Sequence, residues 1–185
     1  MIDTCLAGDR CFGVTLIRRG WEVGPAAEPC DVGTSARIAR VDRLADGKLN
    51  LIVVGTNRFR IRQLVPGEIY LRAEAEMLSE DLADVSVDLV SSVSRRYLEY
   101  IEIVRKVSRQ ESRTTQLPTD AVELSYTVAA NLQVTREEQQ QLLEASTAHR
   151  LLQENKVLAR EITLLRRLGA VVTRRSRAPA DAPLN

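Results

Sequence analysis

Histidine is nearly absent from these 185 residues, for His149 stands alone. A histidine-based hydrolytic triad or metal site would have to be built around it. It falls in or just before the first turn of an expected helix, and neither an HExxH helix nor a GxSxG turn occurs. Cysteine is scarce as well. Cys5, Cys11 and Cys30 are odd in number, lack CxxC spacing and fall within the first thirty residues. Neither a disulfide framework nor a zinc cage is indicated, and reduced thiols in a cytoplasmic setting are expected. No GxxxxGK[ST] cradle for nucleotide phosphates is present, which speaks against ATP hydrolysis. Beyond residue 50 the only lysines are Lys106 and Lys156, both on expected solvated helix faces. A serine-lysine dyad would require one of them to be buried and neutralised. The residues therefore offer no catalytic, cofactor-binding or metal-binding set, and no enzyme is expected.

Two further absences bound the partners. No run approaches the ~20 apolar residues of a membrane-crossing helix, and MIDTCLAGDR has no basic region ahead of an apolar core. The 26 Lys and Arg against 25 Asp and Glu leave a formal charge of +1. Without excess charge of one sign, no global field draws the protein to nucleic acid or an anionic membrane.

What is present is an ordinary globular composition, 44% hydrophobic and 28% charged, in a chain long enough for one full core or two small ones. The hydrophobic period changes near Ser79. Before it, apolar residues alternate: Ile69, Leu71, Ala73, Ala75 and Met77 point one way, toward a core, and Tyr70, Arg72, Glu74 and Glu76 the other. Phe59 and Ile61 alternate with Arg58, Arg60 and Arg62, and Pro66-Gly67 supplies a turn between these runs. Asp46-Gly47 separates residues 36–44 from 48–54 and predicts a hairpin with a type I′ turn, in which both central residues take positive φ. Residues 12–17, FGVTLI, read as a short strand, followed by a Gly- and Pro-containing loop. Several short strands with turns favour a small barrel or sandwich over residues 1–78.

From residue 79 to 172 the pattern is helical. Leu82, Val85, Leu89, Val93, Tyr97, Ile101, Val104 and Val107 form the stripe of a helix over 81–109, broken by polar residues 110–115. Pro118 at the entry, with Asp120 or Thr119 as cap, opens a second helix through Leu132. Thr135 and Glu138 have capping-box spacing for a third. Ser146 caps a last helix whose stripe runs Leu151, Leu158, Ile162, Leu165 and Leu168, ending near Gly169. Residues 173–185 are too polar and Pro-rich to order and are expected to be a disordered tail.

Candidate contacts are few. Arg58, Arg60 and Arg62 on one strand face, with Tyr70 beside them, are an anion or nucleic-acid candidate, weighed against cross-strand pairing with Glu74 and Glu76. Glu74 with Glu76, and Glu137 with Glu138 at a helix start, are carboxylate pairs that strand and helix position already explain. Arg166, Arg167, Arg174, Arg175 and Arg177 suit the negative end of a helix dipole and are read as a solubilising tail, weighed against electrostatic nucleic-acid contact. Trp21 lies in the Gly-rich loop, either pinned on the barrel or open to a ligand.

The segments FGVTLI (12–17), DVGTSARIARVDRLADGKLNLIVVGTNRFRI (31–61) and YLRAEAEML (70–78), followed by LPTDAVELSYTVAANL (117–132) and EEQQQLLEASTAHRLL (137–152), resemble the N-terminal domain of Lon proteases in the family's order. The resemblance implies an α+β fold, with a PUA-like β pseudo-barrel followed by a helical bundle. It also implies a non-catalytic module that binds unfolded or extended polypeptides, like the family's stand-alone members that lack the ATPase and peptidase domains. The watched contact residues are Trp21, Phe59, Tyr70, Tyr97 and Tyr100. A partner protease or chaperone and self-association are the implied partners. A PUA-like nucleic-acid module using Arg58, Arg60 and Arg62, or a structural oligomerisation domain, are the alternatives. Family members open with an apolar strand and a proline-rich stretch ahead of the counterpart of CLAGDRCFGV. The expectation is that such a segment belongs upstream of Met1, and that without it a sheet edge stays unpaired.

Overall fold

The structure, a computed structural model, describes residues 1–21, 27–66, 70–108 and 115–177, with side chains to residue 167. The chain divides into two compact units, Met1–Ser79 and Glu80–Asn185. The first is mainly β and the second helical, an α+β fold.

The first unit opens with a six-residue helix, α1 (Ile2–Ala7), that the sequence reading did not anticipate. Strands β1 (Cys11–Val14), β4 (Val32–Arg43), β5 (Leu49–Val65) and β6 (Arg72–Met77) form an antiparallel sheet in the order β1-β4-β5-β6, and β2 (Ile17–Arg19) pairs with β3 (Glu28–Pro29) in a two-stranded sheet. FGVTLI is thus divided between two sheets rather than forming one strand. Alternation builds the core: Val32, Ala36 and Ile38 on β4 are buried at period two, with Phe59 of β5 and Cys30.

The β4–β5 turn corrects one expectation. Gly47 has φ +81°, whereas Arg10 is the one described non-glycine residue with positive φ, so Asp46 does not take the left-handed form a type I′ turn needs. Gly47 N–H donates to Leu44 O at 3.1 Å and Leu44 N–H to Lys48 O at 2.9 Å. These bonds close a three-residue loop in which glycine alone supplies the positive φ.

Residues 73, 75 and 77 differ from expectation too. All of β6 is exposed, Met77 by 62%. As an edge strand it lacks covering neighbours on the face that the alternation assigned to a core. The Pro66-Gly67 turn has its glycine outside the described residues, as has Ile69; β5 and β6 nonetheless pair antiparallel.

In the second unit α2 (Val87–Val107), α3 (Ala121–Asn131), α4 (Arg136–Glu144) and α5 (Thr147–Arg177) surround a core that includes Val93, Tyr97, Tyr100, Leu124, Leu151 and Leu158. α2 starts at its Ser86 cap, six residues later than the stripe suggested, and Leu82 is exposed ahead of it. Asp120 accepts from Glu123 N–H, and Thr135 with Glu138 completes a capping box. α5 runs through Gly169 to Arg177, past the expected end and into the segment 173–185 expected to be disordered. A helical glycine costs only about 1 kcal/mol, which flanking leucines, arginines and alanine offset. Residues 178–185 lie outside the described residues, as do 110–114 of the expected break.

Arg150 ties three helices and their connections together. Its fully buried guanidinium donates to Leu142 O (2.9 Å), Ser125 Oγ (2.9 Å) and Ala145 O (3.0 Å), and lies 4.1 Å over the Tyr126 ring. Glu80 accepts from Tyr126 Oη (2.6 Å) and Thr147 Oγ1 (2.7 Å) and stands 3.7 Å from Arg150. A buried charge is tolerated only when paired and hydrogen-bonded, which this arrangement provides.

Candidate functional site

The first unit holds an open, mainly apolar cleft of about 380 Å³. Ala73, Ala75 and Met77 of β6, with Leu71 just before it, form one wall, while Phe12 and Gly13 of β1 and Cys5 of α1 also line it, with Phe59 and Ile61 of β5. Alternation accounts for residues 73, 75 and 77 on one face with Glu74 and Glu76 on the other, whereas Tyr70 and Arg72, before and at the start of the strand, line the cleft out of that alternation.

Two glycines make room for the Phe59 ring. A Cβ on Gly33, the cross-strand partner of Phe59, would lie 2.7 Å from Phe59 Cζ and 2.5 Å from both Val14 O and Thr15 Cγ2. A Cβ on Gly13 would lie 2.9 Å from Phe59 Cζ. The ring therefore rests on bare backbone. Neither glycine was singled out from the sequence; the only available signal was that each interrupts a strand pattern, a mark of close approach by another group.

The watched aromatic residues do not form one surface. Phe59, only 6% exposed, and half-buried Tyr70 both line the cleft. Trp21 is 81% exposed and is not among the cleft residues. Tyr97 and Tyr100 are buried in the core of the helical unit, where burial pushes both phenols above their ordinary pKa. They are packing residues.

The arginine stripe is also divided. Arg58 is buried, Arg60 is exposed, and Arg62 donates to Glu76. A register shift between Ile61 and Gln63 breaks strict alternation along β5. The expected pairing with the neighbouring strand thus holds for Arg62, and the three arginines present no continuous exposed row. His149 is exposed on the first turn of α5, with Nδ1 3.0 Å from Ser146 Oγ. Among the described residues no group of three or more His, Cys, Asp or Glu side chains is placed to hold a metal ion.

A family model, the ATP-dependent protease La (LON) substrate-binding domain, matches residues 1–160. The chain belongs to the Lon substrate-binding domain family. It is 30% identical over 148 residues to a Lon protease of Anaeromyxobacter dehalogenans, covering 78% of this chain and 18% of that protein. To Lon protease 1 of Hydrogenovibrio crunogenus it is 32% identical over 136 residues, covering 72% and 17%. The chain thus spans less than a fifth of the length of these relatives. A Lon N-terminal domain protein from Xanthomonas campestris superposes with a TM-score of 0.57 at 22% identity, over 82% of this chain and 78% of that one. The N-terminal domain of a Mycobacterium avium complex Lon protease gives 0.57 at 21%, over 85% and 82%. At these identities the likeness concerns the Lon N-terminal fold. No described helix is long and apolar enough to cross a membrane.

Proposed function

We propose that this Lon substrate-binding domain is a non-catalytic module that holds unfolded or extended polypeptide in the cleft of its β unit. The observation that carries the reading is the open apolar cleft walled by an edge strand, in which Leu71 is 52% and Met77 62% exposed. Apolar surface left in water costs roughly 25 cal/mol per Å², so an apolar segment entering the cleft gains by covering it. A protease or chaperone acting on the held segment, and self-association, are partners this reading accommodates. Neither ATP hydrolysis nor peptidase activity is expected of the purified chain.

Binding of a permanently unfolded, carboxymethylated model protein, followed by fluorescence anisotropy, tests the reading. Saturable binding should fall at least tenfold in Met77→Glu, which places a carboxylate at the cleft by replacing an exposed residue, and the native form of the same model protein should not compete. Absence of saturable binding, or equal binding by Met77→Glu, overturns it. A nucleic-acid function through Arg58, Arg60 and Arg62 is disfavoured by the burial of Arg58 and the Arg62–Glu76 pair. Binding of RNA that weakens steeply with salt would revive it.

A further inference from the structure

Resting on the polypeptide-binding reading, we propose that the free edge of β6 takes up a peptide as an added antiparallel strand, with apolar residues at alternate positions and basic residues between them. Backbone geometry comes first. Leu78 N–H donates to Arg58 O at 2.9 Å, which makes 58 and 78 a hydrogen-bonded pair. In an antiparallel ladder such pairs alternate with pairs whose N–H and C=O groups point away from each other. Arg60↔Glu76 is the next bonded pair, so Met77 opposite Phe59 and Ala75 opposite Ile61 turn their backbone groups outward. β6 ends the order β1-β4-β5-β6, so among the described residues no strand receives those groups.

Side-chain alternation then coincides with backbone alternation. Ala75 and Met77, whose backbone faces the free edge, also line the cleft. A residue of an incoming strand that bonds to Ala75 therefore sends its own side chain toward the cleft, because directly opposed residues share a face. The alanines at 73 and 75, between Leu71 and Met77, leave space on that wall for apolar side chains two residues apart.

Charge selects the intervening positions. On the other face of β6, Glu76 is engaged by Arg62, whereas Glu74 is exposed and has no ion pair among the described residues. An incoming Lys or Arg beside Glu74 gains a cross-strand partner, and an acidic residue there meets a like charge.

The test uses labelled nine-residue peptides with Val or Leu at odd positions and Lys at even ones, a twin with Glu at the even positions, and two N-methylated forms of the Lys peptide. The Lys peptide should bind about fivefold more tightly than its Glu twin, and Glu74→Lys should reverse that order. Methyl groups on the odd-position nitrogens, which face β6 in an antiparallel addition, should weaken binding at least tenfold; methyl groups on the even nitrogens should have little effect. Because the methyl groups sit on the peptide, folding of the protein is not in question. If the unfolded model protein binds while the peptides show neither register nor charge dependence, strand addition is overturned and the polypeptide-binding reading stands. If even the unfolded protein fails to bind, both fall.

Discussion

Glu154 lies one helical turn beyond Arg150 on α5, both side chains fully buried, yet neither carboxylate oxygen of Glu154 has a hydrogen-bond partner among the described residues. The donors of Arg150 are directed to Leu142 O, Ser125 Oγ and Ala145 O instead. Burial pushes the Glu154 carboxyl up to about 9, with Arg150 pulling it the other way. The group is therefore protonated at neutral pH.

This burial predicts a pH dependence of stability. With its pKa raised in the folded state from 4.5 to about 9, Glu154 contributes fully below the unfolded pKa. That contribution is lost as pH rises through the folded pKa, by up to about 1.4 kcal/mol per pH unit. Urea unfolding of the helical unit, followed by circular dichroism at 222 nm at pH 5, 7 and 9, should show falling stability. Glu154→Gln should flatten the dependence; an unchanged slope in that variant would show that another group titrates.

Arg150→Met should destabilise the helical unit by about 3–5 kcal/mol, since it leaves the Glu80 carboxylate, the Ser125 hydroxyl and two carbonyls short of a donor. The same urea titration measures it. A loss under 1 kcal/mol would mean that water replaces the guanidinium.

Gly33→Ala should cost the β unit about 1–3 kcal/mol, because the new methyl meets Val14 O and Thr15 Cγ2 at 2.5 Å in a site that cannot expand without moving strand backbone. Hydrogen exchange of β1 and β4 amides reports it. Protection equal to the parent protein would show that β1 shifts freely.

Thr135→Ala should lower stability by about 1 kcal/mol through loss of the α4 cap. Thr135 Oγ1 accepts from Glu138 N–H at 3.2 Å, and Glu138 accepts from Thr135 N–H at 3.0 Å. That bond and the neighbouring Arg160 hold the Glu138 carboxyl below its usual range. Thr135→Ser, which keeps the acceptor, should retain most of the stability in thermal unfolding; equal losses in both variants would count against the cap.

Much of the helical unit could be read in the chain because its signals are local. The capping box needs only residues 135 and 138, and the Leu151, Leu158 and Ile162 stripe only a helical period. That stripe has a gap at the turn between Leu151 and Leu158, where the helical period places residue 154 toward the core, and the buried residue there is the charged Glu154. Of the watched aromatic residues, Phe59 and Tyr70 line the cleft, whereas Tyr97 and Tyr100 lie in the helical core. Nothing within a few residues of Tyr97 reveals which of its faces another helix will cover.

The sequence by itself determined the α+β order, the caps and the alternation that puts Leu71, Ala73, Ala75 and Met77 on one side of a strand, because each depends on residues a few positions apart. Only tertiary structure decided that this apolar side forms an open cleft wall, that Arg58 is buried while Arg60 is exposed, and that Gly13 and Gly33 seat the Phe59 ring. Those outcomes depend on which strand lies at the sheet edge and where a register shift falls. Alternation assigns a residue to a face, but whether that face is covered depends on elements distant in the chain.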